Sequence, residues 1–316
     1  MKAKTLTVSA TIMVVLALGF SQRANATTNG LGVASDYNVF TLGNVTQSYT
    51  DIQGKVAAGG TINFSGSIGG SLPANSGNVV VAGGDLILSN GQVNNGNAIY
   101  GGTATIASNE GFPNGKATKG SYIDFNAATS SLQSLSSNLS SLTANGSTSI
   151  KYGGITLTGT DPQLEVFNLD GTQLSSANNF TINSQAGATV VVNISGTNVS
   201  LQNFGFSING TNEQDILFNF YQATTLTASG IAIEGSILAP LANFSFNNGH
   251  VDGNVVVNSL TGNGESHNSL FQGNLPTFQT QPKKVPEPRN LIGLGLMAGI
   301  FGLSRNRKNK SIIGCW

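Results

Sequence analysis

The chain has 316 residues, with 41 glycines, a single cysteine and only 9% charged residues, and its formal net charge is zero. That zero hides a partition: residues 27–282 carry four lysines (Lys55, Lys116, Lys119, Lys151) against thirteen carboxylates, a net of −9, and the remaining cations lie toward the two ends. An acidic body repels nucleic acid and anionic membrane, which excludes both as expected partners and leaves cations compatible with it. Cys315 lies beyond that body, so a domain of roughly 240 residues must hold together by ladder hydrogen bonds and core packing without a disulfide.

Residues 1–26 have the three parts of a secretory signal peptide. Lys2 and Lys4 supply the charged start, residues 8–20 the apolar core, and Ala24-Asn25-Ala26 the small-residue site at which signal peptidase would cut. An apolar core of about 13 residues is short for a membrane span. Export follows, with Ala26 the last residue removed.

The body then opens with Asp36-Tyr37-Asn38-Val39-Phe40 and runs on through Gly54-Lys55-Val56-Ala57-Ala58-Gly59-Gly60. Apolar strands followed by Gly-Gly recur at Gly59-Gly60, Gly83-Gly84 and Gly101-Gly102, and glycine there would allow the positive φ of tight corners. Residues 121–145 break the pattern. Leu132, Leu135, Leu139 and Leu142 form a helical stripe, with Ser121 and Asp124 as a capping box and Asn145-Gly146 as the C-cap. Such a helix would reach ~36 Å, about seven rungs of stacked strands, and would lie lengthwise as core.

Strands return at 154–158, 164–169, 189–194, 199–208 and 216–221, with Asp170-Gly171 as a hairpin or corner signal. Across 230–273 the alternation of Ile231, Ile233 and Ile237, Phe244 and Phe246, then Val251, Val255 and Val257, indicates strands with one buried face. Gly235-Ser236-Ile237 recurs as Gly253-Asn254-Val255, about one circuit of a solenoid, and Pro240 belongs at a corner because it cannot donate to a ladder. The expected fold is mainly β: an irregular, right-handed β-solenoid (β-helix) over residues 27–275 with one long α-helix packed alongside.

Both ends of that body carry a resemblance. The DYNVF and GKVAAGG segments (36–40, 54–60), with EGSILAP (234–240), NGHVDGNVVVNSL (248–260) and GESH (264–267), resemble the choice-of-anchor A domain. That family consists of exported bacterial surface proteins attached by various C-terminal signals. The Gly-Ser-Ile-Leu-Ala segment is also similar to the closing coils of the ice-binding β-solenoid family, an analogy of fold.

The chain then runs through a linker, residues 276–284, that carries Pro276 and Pro282. Residues 285–310 hold Pro286-Glu287-Pro288, an apolar run at 291–303 and the basic cluster Arg305, Arg307, Lys308 and Lys310, followed by a tail at 311–316. This resembles the PEP-CTERM sorting signal. The resemblance implies a short transmembrane segment at 291–303, basic residues held on the cytoplasmic side, and cleavage by exosortase at Pro286-Glu287-Pro288. The expected location is transiently the inner membrane, then the cell surface or the extracellular space.

Candidates for chemistry are few. Glu213 and Asp215 could act as paired carboxylates, but Thr-Asn-Glu-Gln-Asp reads as a solvated loop. His250, Glu265 and His267 match no metal-binding spacing and read as the closure of the last coil. No glycine-rich segment precedes a helix with a phosphate-binding lysine. No catalytic residue, metal or cofactor is therefore assigned. The threonine pairs 103/105, 156/158 and 225/227 are the kind of array that ice-binding solenoids use. The expected function is that of a non-catalytic surface or matrix protein associated with exopolysaccharide, glycans or biofilm. The alternatives are a solenoid enzyme acting on polysaccharide, and an ice-binding protein or adhesin.

Overall fold

The computed structural model describes residues 30–278, Asn203 excepted. The expected signal peptide, most of the linker, the sorting signal and its apolar segment 291–303 lie outside the described residues. Among the described residues, no helix is long and apolar enough to cross a membrane.

The body is a β-solenoid whose short strands stack in parallel, in-register ladders along its walls. One wall shows how the chain is threaded. Its rungs, in spatial order, begin with Leu164–Asp170, Thr189–Ser195 and Ile216–Asn219, followed by the first halves of Ser236–Asn247 and Val255–Gly262. The row continues with Val39–Thr41, Val56–Ala58, Asn78–Ala82, Asn97–Tyr100 and Ala117–Lys119. The first strand is thus sandwiched mid-stack, with Val39 paired to Val56 on one side and to Val255 on the other. Coils build outward from this seam to Lys119. A helix, α1 (Phe125–Ser140), then precedes the coils of the opposite half, which build from Leu164 back to the seam.

The helix is shorter than its leucine stripe suggests, at 16 residues instead of the expected span of 121–145. At 1.5 Å per residue this is about 24 Å, or five rungs. Asp124 sits in extended backbone and accepts from the Ala127 N–H, so the cap forms there and Ser121 is left outside. The C-cap is Ser141; Asn145 instead exchanges hydrogen bonds with the backbone of Val166. Leu132 and Leu139 are buried, with Ala128 and Ser136. Leu135 is only half-buried and lines a groove with Leu31, Val33 and Tyr122.

Alternation explains why this wall is buried on both faces. Val190, Val192, Ile216, Phe218 and Ile237 point into the solenoid, while Val191, Leu217 and Leu238 point out and are covered by α1. A buried polar clamp fixes the helix on that surface. Asn219 donates to the Ser136 carbonyl (2.9 Å) and to Asn193 Oδ1 (2.8 Å), Ser136 Oγ donates to Asn219 Oδ1 (2.6 Å), and Asn193 donates to the Leu139 carbonyl (2.8 Å).

Asn254 fastens the seam. Its amide donates to the carbonyls of Tyr37 (2.7 Å), Ala34 and Ser35, while its Oδ1 accepts from the Phe271 N–H at 2.7 Å. One side chain therefore ties the first described segment to the last.

The glycine pairs do form corners, for a reason other than the expected one. None of Gly59, Gly83 and Gly101 has a positive φ. Each lies under the preceding rung: a Cβ on Gly83 would stand 2.4 Å from the Gly59 carbonyl oxygen, and one on Gly101 2.3 Å from that of Gly83. Glycine is needed there because the backbones stack too closely for any side chain.

Asp170-Gly171 opens a five-residue helix, α2 (Gly171–Ser175), which Asp170 caps by accepting from the Thr172 N–H. The expected strand at 199–208 is two strands, Asn198–Gln202 and Phe206–Asn209. Pro240 lies where the register of Ser236–Asn247 shifts between Ala239 and Asn243, at a corner as expected. A second sheet of four strands contains Ser147–Lys151, Gly154–Thr158, Asn179–Asn183 and Phe206–Asn209.

Candidate functional site: a flat hydroxyl and amide wall

A second wall of the solenoid is open to solvent. Its core-facing residues, among them Val45, Ile62, Leu86, Leu226, Phe244 and Leu260, are all buried. Its outward residues fall into register across eight consecutive strands: Ser200, Thr227, Ser245, Thr261, Thr46, Asn63, Ile87 and Thr105. At about 4.8 Å per rung this row runs ~34 Å. A parallel row, Asn198, Thr225, Asn243 and Ser259, lies two residues away along the same strands, about 6.7 Å at strand rise.

Neither row contains a charged residue. Among the described residues, the side chains of Thr46, Asn63, Thr105 and Thr227 form no hydrogen bond to the protein and point to solvent or its edge. The result is an array of donors and acceptors at fixed spacing, held by a rigid ladder beneath. Carboxylates appear only at its corner, where Asp85 accepts from the backbone N–H and hydroxyl of Thr103, bonds that hold its carboxyl below the usual range.

Of the expected threonine pairs, Thr103/Thr105 and Thr225/Thr227 belong to this wall, and Thr105 and Thr227 share its central row. Thr156/Thr158 lie on the four-stranded sheet and do not join them. The sequence reading missed Thr46 and Thr261, which pair with one another at the centre of the row. The only local signal was that each follows a buried apolar residue, Val45 and Leu260, and these two stack on one another.

Tyr49 stands at the rim of the wall. It is the extra residue where the register shifts between Ser48 and Thr50, it is 87% exposed, and its φ is +55°. Corners nearby in the same position use Asn90 and Asn248, which adopt this left-handed conformation more readily than an aromatic residue.

A third wall carries the chain's histidines. His250 and Asp252 lie on one strand, Glu265 and His267 on the next, paired His250 to Glu265 and Asp252 to His267. The Asp252 carboxylate is 2.7 Å from His267 Nδ1 and 3.4 Å from His250 Nε2. The expected grouping of His250, Glu265 and His267 is therefore real in space, and Asp252 is the member that sequence spacing missed. Glu234 is one rung away. Partial burial raises its carboxyl above the usual range, and the charges of Asp252 and Glu213 add to that, against His250.

Glu213 and Asp215 occupy a single 3-10 turn, Glu213–Asp215, and are half-buried. Partial burial raises the carboxyl of Asp215, the neighbouring Thr211 hydroxyl opposes this, and the charge of Glu213 reinforces it. The expected processing residues Ala26, Pro286, Glu287 and Pro288 lie outside the described residues.

Solved structures similar to this chain include an ice-binding protein from the Antarctic ascomycete Antarctomyces psychrotrophicus. It is 16% identical, with a TM-score of 0.33, and the match covers 79% of this chain and 100% of that one. An ice-binding protein from an Antarctic biological consortium is 14% identical, with a TM-score of 0.36, over 85% of this chain and 95% of its own. The DUF3494 domain of ice-binding protein 1 from Shewanella frigidimarina is 11% identical, with a TM-score of 0.33, over 78% and 98%. Likenesses this distant assign nothing to individual residues here. No curated protein matches the sequence. The family model for the ice-binding-like adhesive domain matches residues 30–268, which span both halves of the solenoid and its helix, and the chain belongs to that family.

Proposed function

We propose that this is an exported, non-catalytic surface protein that adheres through its flat wall to a neutral, hydroxyl-rich polysaccharide. The observation that carries the reading is the eight-rung row from Ser200 to Thr105, which is uncharged and presents the unengaged hydroxyls of Thr46, Thr105 and Thr227 and the unengaged amide of Asn63. Many weak, evenly spaced hydrogen bonds suit a polymer whose own hydroxyls repeat, and avidity along the row compensates for weak single contacts. The net charge of −9 over residues 27–282 disfavours an acidic polymer and supports a neutral one.

Tyr49 supports the same reading. A tyrosine held in left-handed backbone costs on the order of 1–2 kcal/mol, and strain of this kind gathers at sites of contact. Its exposed ring offers an apolar face at the edge of the polar wall, suited to stacking on a sugar ring. Tyr49→Gly is expected to leave the melting temperature unchanged or raised, and to weaken pelleting with a neutral glucan several-fold. Wild-type affinity retained by that variant removes Tyr49 from the site.

A second reading, binding to ice, rests on the regular spacing of the same row. An ice recrystallisation assay separates the two. The polysaccharide reading expects no inhibition, whereas inhibition at micromolar protein favours ice.

Export and sorting complete the proposal. Signal peptidase would remove residues 1–26, and exosortase would act at Pro286-Glu287-Pro288, giving a surface or matrix protein of an exopolysaccharide-producing cell. The sequences at both ends support this. Intact mass of the protein extracted from the cell surface is expected to fit a chain that starts at Thr27 and lacks Cys315 and Trp316. A mass retaining both residues points to an uncleaved tail.

A further inference from the structure

The sequence contains two histidines, 17 residues apart in numbering, and the fold brings both into one square on the third wall. Imidazole and carboxylate alternate at its corners: His250 and Asp252 on one strand, Glu265 and His267 on the next. The two rings stack with centroids 4.4 Å apart and planes at 17°. Asp252 is shared, one oxygen 2.7 Å from His267 Nδ1 and the other 3.4 Å from His250 Nε2, while His267 Nε2 faces Glu265 Oε2 at 3.4 Å.

His267 therefore has a carboxylate at each ring nitrogen. Such a ring is satisfied by a proton on both nitrogens, or by a proton on one and a metal ion at the other. Among the described residues, no lysine or arginine forms a salt bridge, and every ion pair involves a histidine. The carboxylates of this wall therefore have no lysine or arginine partner.

We propose that His250, Asp252 and His267 form a site for a divalent transition-metal ion of the zinc class. One ligand atom from each lies within 4.8 Å of the others, a separation that small side-chain rotations bring to the span of a tetrahedral shell. Two imidazoles and one carboxylate select zinc-class ions over calcium or magnesium, which prefer oxygen-only shells. Glu265 orients His267 through the nitrogen that does not bind the ion, the usual task of a carboxylate behind a ligating histidine. All three ligand side chains are part-exposed, so ions enter freely and water completes the shell. The ion would staple the last described strand, Glu265–His267, to the rung it pairs with, His250–Asp252.

The test uses the full chain, dialysed against a chelator and titrated calorimetrically with zinc chloride at neutral pH. Saturable binding of one zinc per chain is expected, with a rise in unfolding temperature on zinc addition and no comparable response to calcium. His267→Gln and Asp252→Asn are each expected to weaken zinc binding at least about tenfold. His250→Asn, at the most exposed of the three positions, provides the same test should the other variants fail to fold. Three results overturn the site: no zinc binding by the wild type, wild-type affinity in folded His250→Asn, or zinc binding abolished by Cys315→Ser and unaffected by the histidine variants.

Discussion

Asn254→Leu is expected to destabilise the protein by about 3–5 kcal/mol, a large share of the ~5–15 kcal/mol that holds a domain folded. The side chain is fully buried, and leucine keeps its branched outline while its methyl groups are bulkier, so some overpacking adds to the main loss. What is lost is the polar join. The Phe271 N–H and the Tyr37 carbonyl, each bonded to Asn254 at 2.7 Å, would remain inside with no partner. Each such orphan costs roughly 1–3 kcal/mol, and the weaker contacts to Ala34 and Ser35 go with them. Asn63→Leu, on the exposed wall, serves as the comparison and is expected to stay within about 0.5 kcal/mol of wild type. Urea midpoints for the two variants read the difference directly. A cost below about 1 kcal/mol at Asn254 would show that the seam is held by its backbone ladders alone.

The importance of that seam follows from the threading. The first strand of the described chain pairs with Val255–Gly262, so neither half of the solenoid has a complete stack until the other half arrives. Pairings this distant in sequence close late and fold slowly.

Much of the solenoid was legible in the sequence because its signals are local. The alternation of Ile231, Ile233 and Ile237 marks strands wherever it occurs, and Gly235-Ser236-Ile237 does stack on Gly253-Asn254-Val255 in register. The leucine stripe located the helix for the same reason. Its ends were misplaced because the decisive contacts are not local: Asp124 caps where the chain leaves extended backbone, and Ser136 is buried by its bond to Asn219. Glycine at the Gly-Gly corners was expected for its φ, yet the cause is the approach of the preceding rung, which one strand cannot reveal.

The candidate sites were harder to see. The central row joins Thr46 to Thr261 and Thr227 to Ser245, across coils of unequal length, so no fixed period picks it out. Strand pattern shows only which residues face outward; register decides which of them become neighbours. The same holds for Asp252, which reaches His267 only because their strands pair.

The most direct test of the adhesive wall is sedimentation of the purified protein with an insoluble neutral glucan, wild type against the double variant Thr46→Arg/Thr261→Arg. These residues are exposed, adjacent on paired strands and central to the row, so two arginines there should leave folding intact while breaking the flat, uncharged surface. The wild type is expected to pellet with the glucan, and the variant to remain in the supernatant with at least a tenfold loss of binding at an unchanged melting temperature. Equal pelleting of the two proteins would contradict adhesion through this wall.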